Sequence, residues 1–377
     1  MARYFLGCMH EQYHPRDLLE HAVAGERAGF DGIACSDHFQ PWWEPGHSGQ
    51  AWVWLGAAAQ ATKRVPVGPA VTVALKRYHP ALVAQGFATL EAMYPGRVFV
   101  GLGSGESLNE SPLGLDWPPP RDQLAALEEA CWLIRRLWEG ERVDHDGRFF
   151  RTKRAYLHTR PEQPPPVYIS AFHPGAAKVA GRYGDGLWTM ADPESAPKLI
   201  GIYRAAAEQA GRGRGTIVLE AGFSWAPDDA DALEAARVWK GAVPDEFYTD
   251  DWFDPQAMYE RGEEQVSDEE FKQHFIVSAD PDEHVERIRE LGQLTDGDVV
   301  VKLSNLSGPN ALEAIQIYGE RVLPKLRGWA LSPRTWSPDM SADLVPGVSP
   351  DQVRSERPTP TCRARPGGLP GRRTSRT

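Results

Sequence analysis

GIACSDHFQPW, residues 32–42, changes character midway: four small or apolar residues, then an acid, a histidine, an amide and an indole. Gly32–Cys35 has the length and continuous apolar character of a strand buried on both faces. The stretch before it, Pro15–Ala28, sets Leu18, Leu19, Ala22, Val23 and Ala28 on one helical face and opens on proline, as helix N-termini do. Helix, buried strand and abrupt polar loop form a unit that recurs. Further apolar runs lie at Tyr4–Cys8, Val65–Thr72, Val98–Leu102, Val167–Ala171, Asp185–Thr189, Ile217–Ser224 and Asp298–Leu303. Helical patterns at Trp52–Thr62, Pro80–Tyr94, Leu124–Trp138, Gly175–Tyr183, Ala196–Ala210, Ala230–Trp239 and Asn310–Leu326 separate or follow them. Eight such strands over roughly 320 residues predict an α/β fold, a (β/α)8 TIM barrel with insertions. An open, doubly wound sheet has the same periodicity and stays as the alternative.

A barrel gathers its chemistry in the loops after the strands. The first strand is followed by His10-Glu11-Gln12, the second by Ser36–Trp42 and the fourth by Gly103–Glu110. His38, with Asp37 beside it and Glu106 on the neighbouring loop, is a candidate general base, because imidazole titrates near neutrality and a carboxylate tunes it. A hydrogen-bonded loop histidine would look the same in isolation. Gly101-Leu-Gly-Ser-Gly-Glu has the bare backbone of a cofactor loop, yet it is not the dinucleotide fingerprint: it reads GxGxGE and comes about a hundred residues into the chain. A tight turn without a ligand is the other reading, and Glu106 would be out of place there.

The chain has 377 residues and a formal charge of -11, although residues 331–377 hold eight arginines against four acids. An acidic body argues against nucleic acid or an anionic membrane as partner and for a small-molecule enzyme. The four cysteines have no metal-binding or staple spacing and HExxH is absent, so no metal is expected and reduced cytoplasm is the expected compartment. No run approaches the ~18–20 apolar residues of a membrane helix. Residues 141–151 read as an insertion with a hairpin turn at Asp146-Gly147, and 243–275 as an acidic, aromatic insertion, a lid or a dimer surface. Residues 1–328 are expected to form one domain, and the Pro/Ser/Arg-rich 329–377 to be disordered and without a catalytic role.

SDHFQPW, followed by KRYHPALVAQGFATLEAMYPGRVFVGLGSGESLNE at residues 76–110, resembles the luciferase-like flavin and deazaflavin oxidoreductases. The resemblance is closer to the branch of coenzyme F420-dependent glucose-6-phosphate dehydrogenases, and it spans roughly residues 4–328, with support from Arg77–Pro80, Ala180–Gly186 and Ser278–Glu283. It implies a TIM barrel, usually a homodimer, with coenzyme F420 at the C-terminal face. His38 matches the histidine that handles the substrate hydroxyl proton, Glu106 the acid that exchanges a proton with the deazaflavin, Trp42 the indole at the reacting centre and Glu11 the acid after the first strand. Asp37, Ser104, Gly105 and Asn109 match cofactor contacts, and Ala70-Val71 falls where relatives have a bulge behind the ring, often with a non-proline cis peptide.

The substrate end departs from that pattern. Where the sugar-phosphate enzymes have two lysines and an arginine, this chain has Met190, the Thr249-Asp250 pair and His274, so Met190, Asp250 and His274 are expected to meet a substrate other than glucose 6-phosphate. Phe172 and His173 stand in place of small glycines near the expected cofactor phosphate. The implied activity is hydride transfer between an alcohol or carbonyl compound and F420. FMN is the alternative cofactor, in a monooxygenase of the same fold, and a non-catalytic flavin-binding barrel is the further alternative.

Overall fold

The computed structural model describes residues 2–327. Its frame is eight parallel strands: β1 (Arg3–Cys8), β2 (Gly32–Cys35), β3 (Val67–Pro69 and Thr72–Val73), β4 (Val100–Gly103), β5 (Val167–Ser170), β6 (Gly186–Met190), β7 (Thr216–Ser224) and β8 (Val299–Asn305). Each pairs with the next, β8 pairs with β1, and the Val67↔Val98 bridge with Thr72↔Leu102 closes the ring between β3 and β4. The barrel expected from the apolar runs is the one found, and the open sheet is excluded.

Period-two alternation sorts each strand into two faces. Phe5, Ala34, Phe99, Tyr168, Trp188, Val218 and Val300 meet in a cluster of their own, the plug inside the barrel. The other parity, among them Leu6, Ile33, Ile169, Leu187, Ile217, Leu219 and Val301, packs outward against the helices. Inward positions further toward the strand C-termini, Ser36, Gly103, Ser170, Met190, Glu220 and Ser304, line a cavity.

Two local features shape that cavity. The peptide Ala70–Val71 is cis and divides β3 into its two segments. Gly101 and Gly103 leave room for the bulge: a Cβ on the first would lie 2.9 Å from Val71 Cγ1 and on the second 2.7 Å from Val71 Cγ2.

The helices lie close to their expected bounds, although Pro120–Trp138 begins about a turn before Leu124. The hairpin pairs Val143–Asp146 with Arg151–Ala155, and the Gly147 N–H donates to Phe150 O at 3.0 Å. Residues 243–275, read as irregular, hold three helices, the short Glu246–Thr249 and then Pro255–Gln265 and Asp268–His274, the last two capped by the side chains of Asp254 and Ser267. They gave no periodic signal because the longest buries only Pro255, Met258 and Gly262, too few for an apolar stripe. Lys240, buried beneath them, reaches Asp268 at 2.7 Å, and Arg237 reaches the same carboxylate at 2.9 Å. The tail expectation for 329–377 lies outside the described residues.

Candidate active site

The strand ends open into one cavity of about 470 Å³. Twelve residues expected at the catalytic centre or cofactor line it: Glu11, Asp37, His38, Trp42, Ala70, Val71, Ser104, Gly105, Glu106, Asn109, Phe172 and His173. Met190 lines it too, from the end of β6. Asp250 and His274 do not. Both are exposed, and their neighbours Thr249 and Phe275 face the cavity instead. The correction is one residue in each case, at the end of a short helix, where a step of one position turns a side chain by about 100°.

The core of the site is one imidazole between two carboxylates. His38 Nδ1 lies 2.7 Å from Glu11 Oε1, and His38 Nε2 lies 3.3 Å from Glu106 Oε2. Glu11 is fully buried, and Ser36 Oγ donates to its Oε2 at 2.7 Å while accepting from the His10 N–H at 2.9 Å. Glu106 precedes the short helix Ser107–Glu110, and Asn109 links it to the neighbouring loop. The Asn109 amide donates to Glu106 Oε2 at 3.2 Å, and its oxygen accepts from the Phe39 N–H at 2.6 Å, tying the β4 loop to the β2 loop. Gly105 takes a φ of 100°, a region a side chain would strain, and this turns the chain into that helix.

Charge decides the protonation states. Burial pulls the His38 imidazolium down, but the carboxylates of Glu11 and Glu106 more than offset it and push its pKa up to about 9. For Glu11 burial works upward, and the charge and hydrogen bonds of His38 and Ser36 overcome it, holding the acid below the usual range. Burial prevails at Glu106, which is raised even though His38 opposes it. Near neutral pH the free site therefore holds a protonated His38, with Nε2 facing Glu106 and Trp42 edge-on with ring centroids 5.4 Å away.

Asp37 is held apart from this group. Thr72 Oγ1 donates to its Oδ2 at 2.5 Å, Trp52 Nε1 supports Thr72 at 3.0 Å, and Arg77 sits 3.5 Å from its Oδ1 and bonds its carbonyl at 2.9 Å.

The opposite wall is apolar. Phe172, Met190, Trp239, Ala242, Phe275 and Leu306 line it, and Tyr248 stands between Trp42 and Phe172 with ring centroids 5.5 and 5.7 Å away. Tyr248 lies in the stretch 243–275, which the sequence marks only as an aromatic insertion. Trp239 and Glu220 had no sequence signal beyond helix or strand patterning, and Phe275 and Leu306 had none. Among the described residues no group of histidines, cysteines and acids could hold a metal, and no helix is long and apolar enough to cross a membrane.

A family model described as luciferase-like monooxygenase matches residues 1–296. An F420-dependent glucose-6-phosphate dehydrogenase of Beutenbergia cavernae is 41% identical over 325 residues, covering 84% of this chain and 95% of that protein. One of Microbacterium testaceum is 40% identical over 323 residues, with 84% and 95% covered. The solved structure of an F420-dependent secondary alcohol dehydrogenase holding an F420–acetone adduct superposes with a TM-score of 0.82 at 35% identity, over 86% of this chain and 99% of that one. A closed barrel whose site lies at the strand C-termini, a family model over most of the chain and relatives near 40% identity converge, and this chain belongs to the luciferase-like family.

Proposed function

We propose that this protein is a coenzyme F420-dependent oxidoreductase that moves a hydride between the deazaflavin and a neutral alcohol or carbonyl compound. The observation that carries the reading is His38 held between Glu11 and Glu106 at the wall of the cavity, in a chain whose relatives are F420-dependent dehydrogenases.

The cavity suits such a cofactor. Ala70 and Val71 form an apolar ledge against Gly103, which fits one face of a flat ring, with Asp37, Ser104, Gly105 and Asn109 around it. At the far side the helix Pro174–Tyr183 begins without a side-chain cap, and its Gly175 and Ala176 line the cavity beside Phe172 and His173. Such an N-terminus favours an anionic tail. When bound, the deazaflavin accepts or supplies the hydride.

The residues of this chain do the rest. Oxidation of an alcohol requires a base at the hydroxyl as the hydride leaves, and carbonyl reduction requires an acid at the same oxygen. His38 Nε2 fills both roles, and Glu11, supported by Ser36, keeps Nδ1 anchored so that Nε2 alone exchanges. Glu106, raised by burial, holds or releases a proton on the ring side. Trp42 and Tyr248, in ring contact on the cavity wall, would shield the reacting carbon from water.

Glucose 6-phosphate is a poor fit. Among the described residues lining the cavity the one lysine or arginine is Arg121, which is exposed and turned to Asp122 at 3.4 Å, while Glu11, Asp37, Glu106 and Glu220 supply carboxylates. A phosphate dianion would meet those charges with Met190 where a cation is needed. We further place the protein in the cytoplasm as a homodimer. The thiols Cys8, Cys35 and Cys131 are free, and helices Ala51–Ala61 and Pro80–Met93 present Val53, Leu82 and Met93 outward with no exposed charge. A like-to-like surface in an acidic protein needs that absence of charge.

Titrating the purified protein with F420 and, separately, with FMN tests the reading: saturable quenching of F420 fluorescence is expected, and tight FMN binding without F420 binding would overturn it. Sedimentation of the native chain against Val53→Glu tests the dimer, which the variant should dissociate.

A further inference from the structure

Beneath the substrate half of the cavity lies a charge pair that proton and hydride transfer leave unused. Lys302 is fully buried inside the barrel and pairs with Glu220 Oε1, and it also donates to Ser304 Oγ at 2.6 Å. Trp188 Nε1 donates to Glu220 Oε2 at 2.8 Å. Gly7 makes the arrangement possible, since a Cβ there would stand 2.7 Å from Lys302 Cε. Replacing a buried ion pair with apolar residues is often neutral or stabilising, so fold stability alone does not account for it.

We propose that Glu220 is a specificity-determining residue, which accepts a hydrogen bond from a second, neutral hydroxyl on the substrate. The substrate is thus a largely apolar alcohol, or the corresponding carbonyl compound, with a further hydroxyl group. This rests on the oxidoreductase reading above and names the class of compound that its site selects.

Geometry supplies the first support. A carboxylate has about four acceptor positions. Lys302 and Trp188 occupy one on each oxygen, and Ser304 is in loose contact at 3.4 Å. Glu220 lines the cavity with its side chain 20% exposed, so acceptor capacity faces the ligand space on a group fixed from below. Its surroundings give the second support. Met190 is its register partner on β6, Gly222 is the next inward residue on β7, and Trp239, Phe275 and Leu306 complete an apolar wall, so a polar group of the substrate has Glu220 and Ser304 to meet there.

Charge narrows the donor. An anion would face the carboxylate directly. An ammonium would lie close to the Lys302 ammonium that shares the same oxygen, and would gain little. A neutral O–H suffers neither penalty. The carboxylate also lies within electrostatic reach of the proton-transfer group, since its charge contributes to the raised pKa of both Glu106 and Tyr248.

The test measures binding without turnover. Cofactor-free protein is titrated with an aliphatic secondary alcohol, with the diols that place a second hydroxyl at successive carbons of the same chain, and with the amino alcohol of equal length. The fluorescence of Trp42 and Trp239 on the cavity wall reports binding. At least one diol should bind about 10-fold more tightly than the monoalcohol, the expected worth of a hydrogen bond to a charged group, and the amino alcohol should bind no better than the monoalcohol. In the paired replacement E220Q/K302M, chosen so that no buried ammonium is left unmatched, the preference should shrink to within about 2-fold. Equal affinity of every diol and the monoalcohol for the native protein overturns the proposal whatever the variant does, and so does a preference that survives in a folded double variant. If the preference holds but no diol reduces F420, the oxidoreductase reading fails while this subsite stands.

Discussion

One cavity has two walls of opposite material. The ends of β1, β2 and β4 carry Glu11, His38 and Glu106, with Ser36 bonded to Glu11, Asn109 bonded to Glu106 and the imidazole set between the two carboxylates. The ends of β5 and β6 and the 243–275 insertion carry Phe172, Met190, Tyr248 and Phe275, which meet mostly through ring and van der Waals contact. The first wall is preorganised, because a misplaced proton donor fails. The second is shaped by volume, and apolar surfaces of similar size replace one another at modest cost. A barrel that separates the two in this way can change its substrate while keeping its chemistry.

The largest expected effect lies on the polar wall. His38→Ala and Glu106→Gln should each lower kcat for F420 reduction or oxidation by about 10³-fold, the usual worth of general acid–base catalysis, with F420 affinity changed less than about 3-fold. Met190→Ala should alter KM by about 10-fold or less and leave kcat nearly intact. Steady-state kinetics that reversed this order would dissolve the distinction between the walls.

Next comes pH. His38 is raised from its ordinary 6.5 to about 9, so its proton is held more tightly in the folded protein than in the unfolded chain. The stability this contributes is complete below pH 6.5 and is lost as pH climbs through 9. Carbonyl reduction, which needs the protonated form, should fall across the same range, and alcohol oxidation should rise. Glu11→Gln removes the larger of the two raising charges, and an NMR titration of His38 in that variant should show the midpoint moving down toward 6.5. An unmoved midpoint would mean that Glu11 does not tune the imidazole.

The same division governed how much could be read before any coordinates. All eight strands were legible because strands buried on both faces leave continuous apolar runs, and His38 and Glu106 because carboxylates and imidazoles are out of place just past such runs. The apolar wall was not. Phe275 and Leu306 look like any core residue in sequence, and Glu220 sits inside the run ThrIleValLeuGluAlaGlyPheSer, where only the inward parity of β7 shows that it faces the cavity. Asp250 and His274 were misplaced by one position for the same reason: polarity is visible in a sequence, while the direction of a side chain at the end of a short helix is not.

A smaller effect comes from putting a charge on the apolar wall. Met190→Lys places a cation on the apolar side without touching His38, and inhibition by glucose 6-phosphate should strengthen by about 10-fold at low ionic strength and weaken again with salt. No gain would mean that the remaining carboxylates, Glu220 foremost, dominate the field at that end of the cavity.

The smallest effect asks whether the polar wall depends on its second layer. Ser36 is buried, donates to Glu11 Oε2 at 2.7 Å and accepts from the His10 N–H, so Ser36→Ala leaves both groups unmatched. The expected loss is about 2 kcal/mol in denaturant unfolding. Leu306→Val on the other wall removes one methylene and should cost about 1 kcal/mol. Stability therefore separates the pair poorly, and the informative readout is the pH profile. Without the Ser36 hydroxyl the Glu11 carboxylate is less well stabilised, its hold on the His38 proton weakens, and the limb near pH 9 should move downward. Leu306→Val carries no charge and touches no hydrogen bond of that group, so its limb should stay in place. Equal displacement in the two variants would show that the profile follows general loosening of the barrel mouth rather than the hydrogen bond behind Glu11.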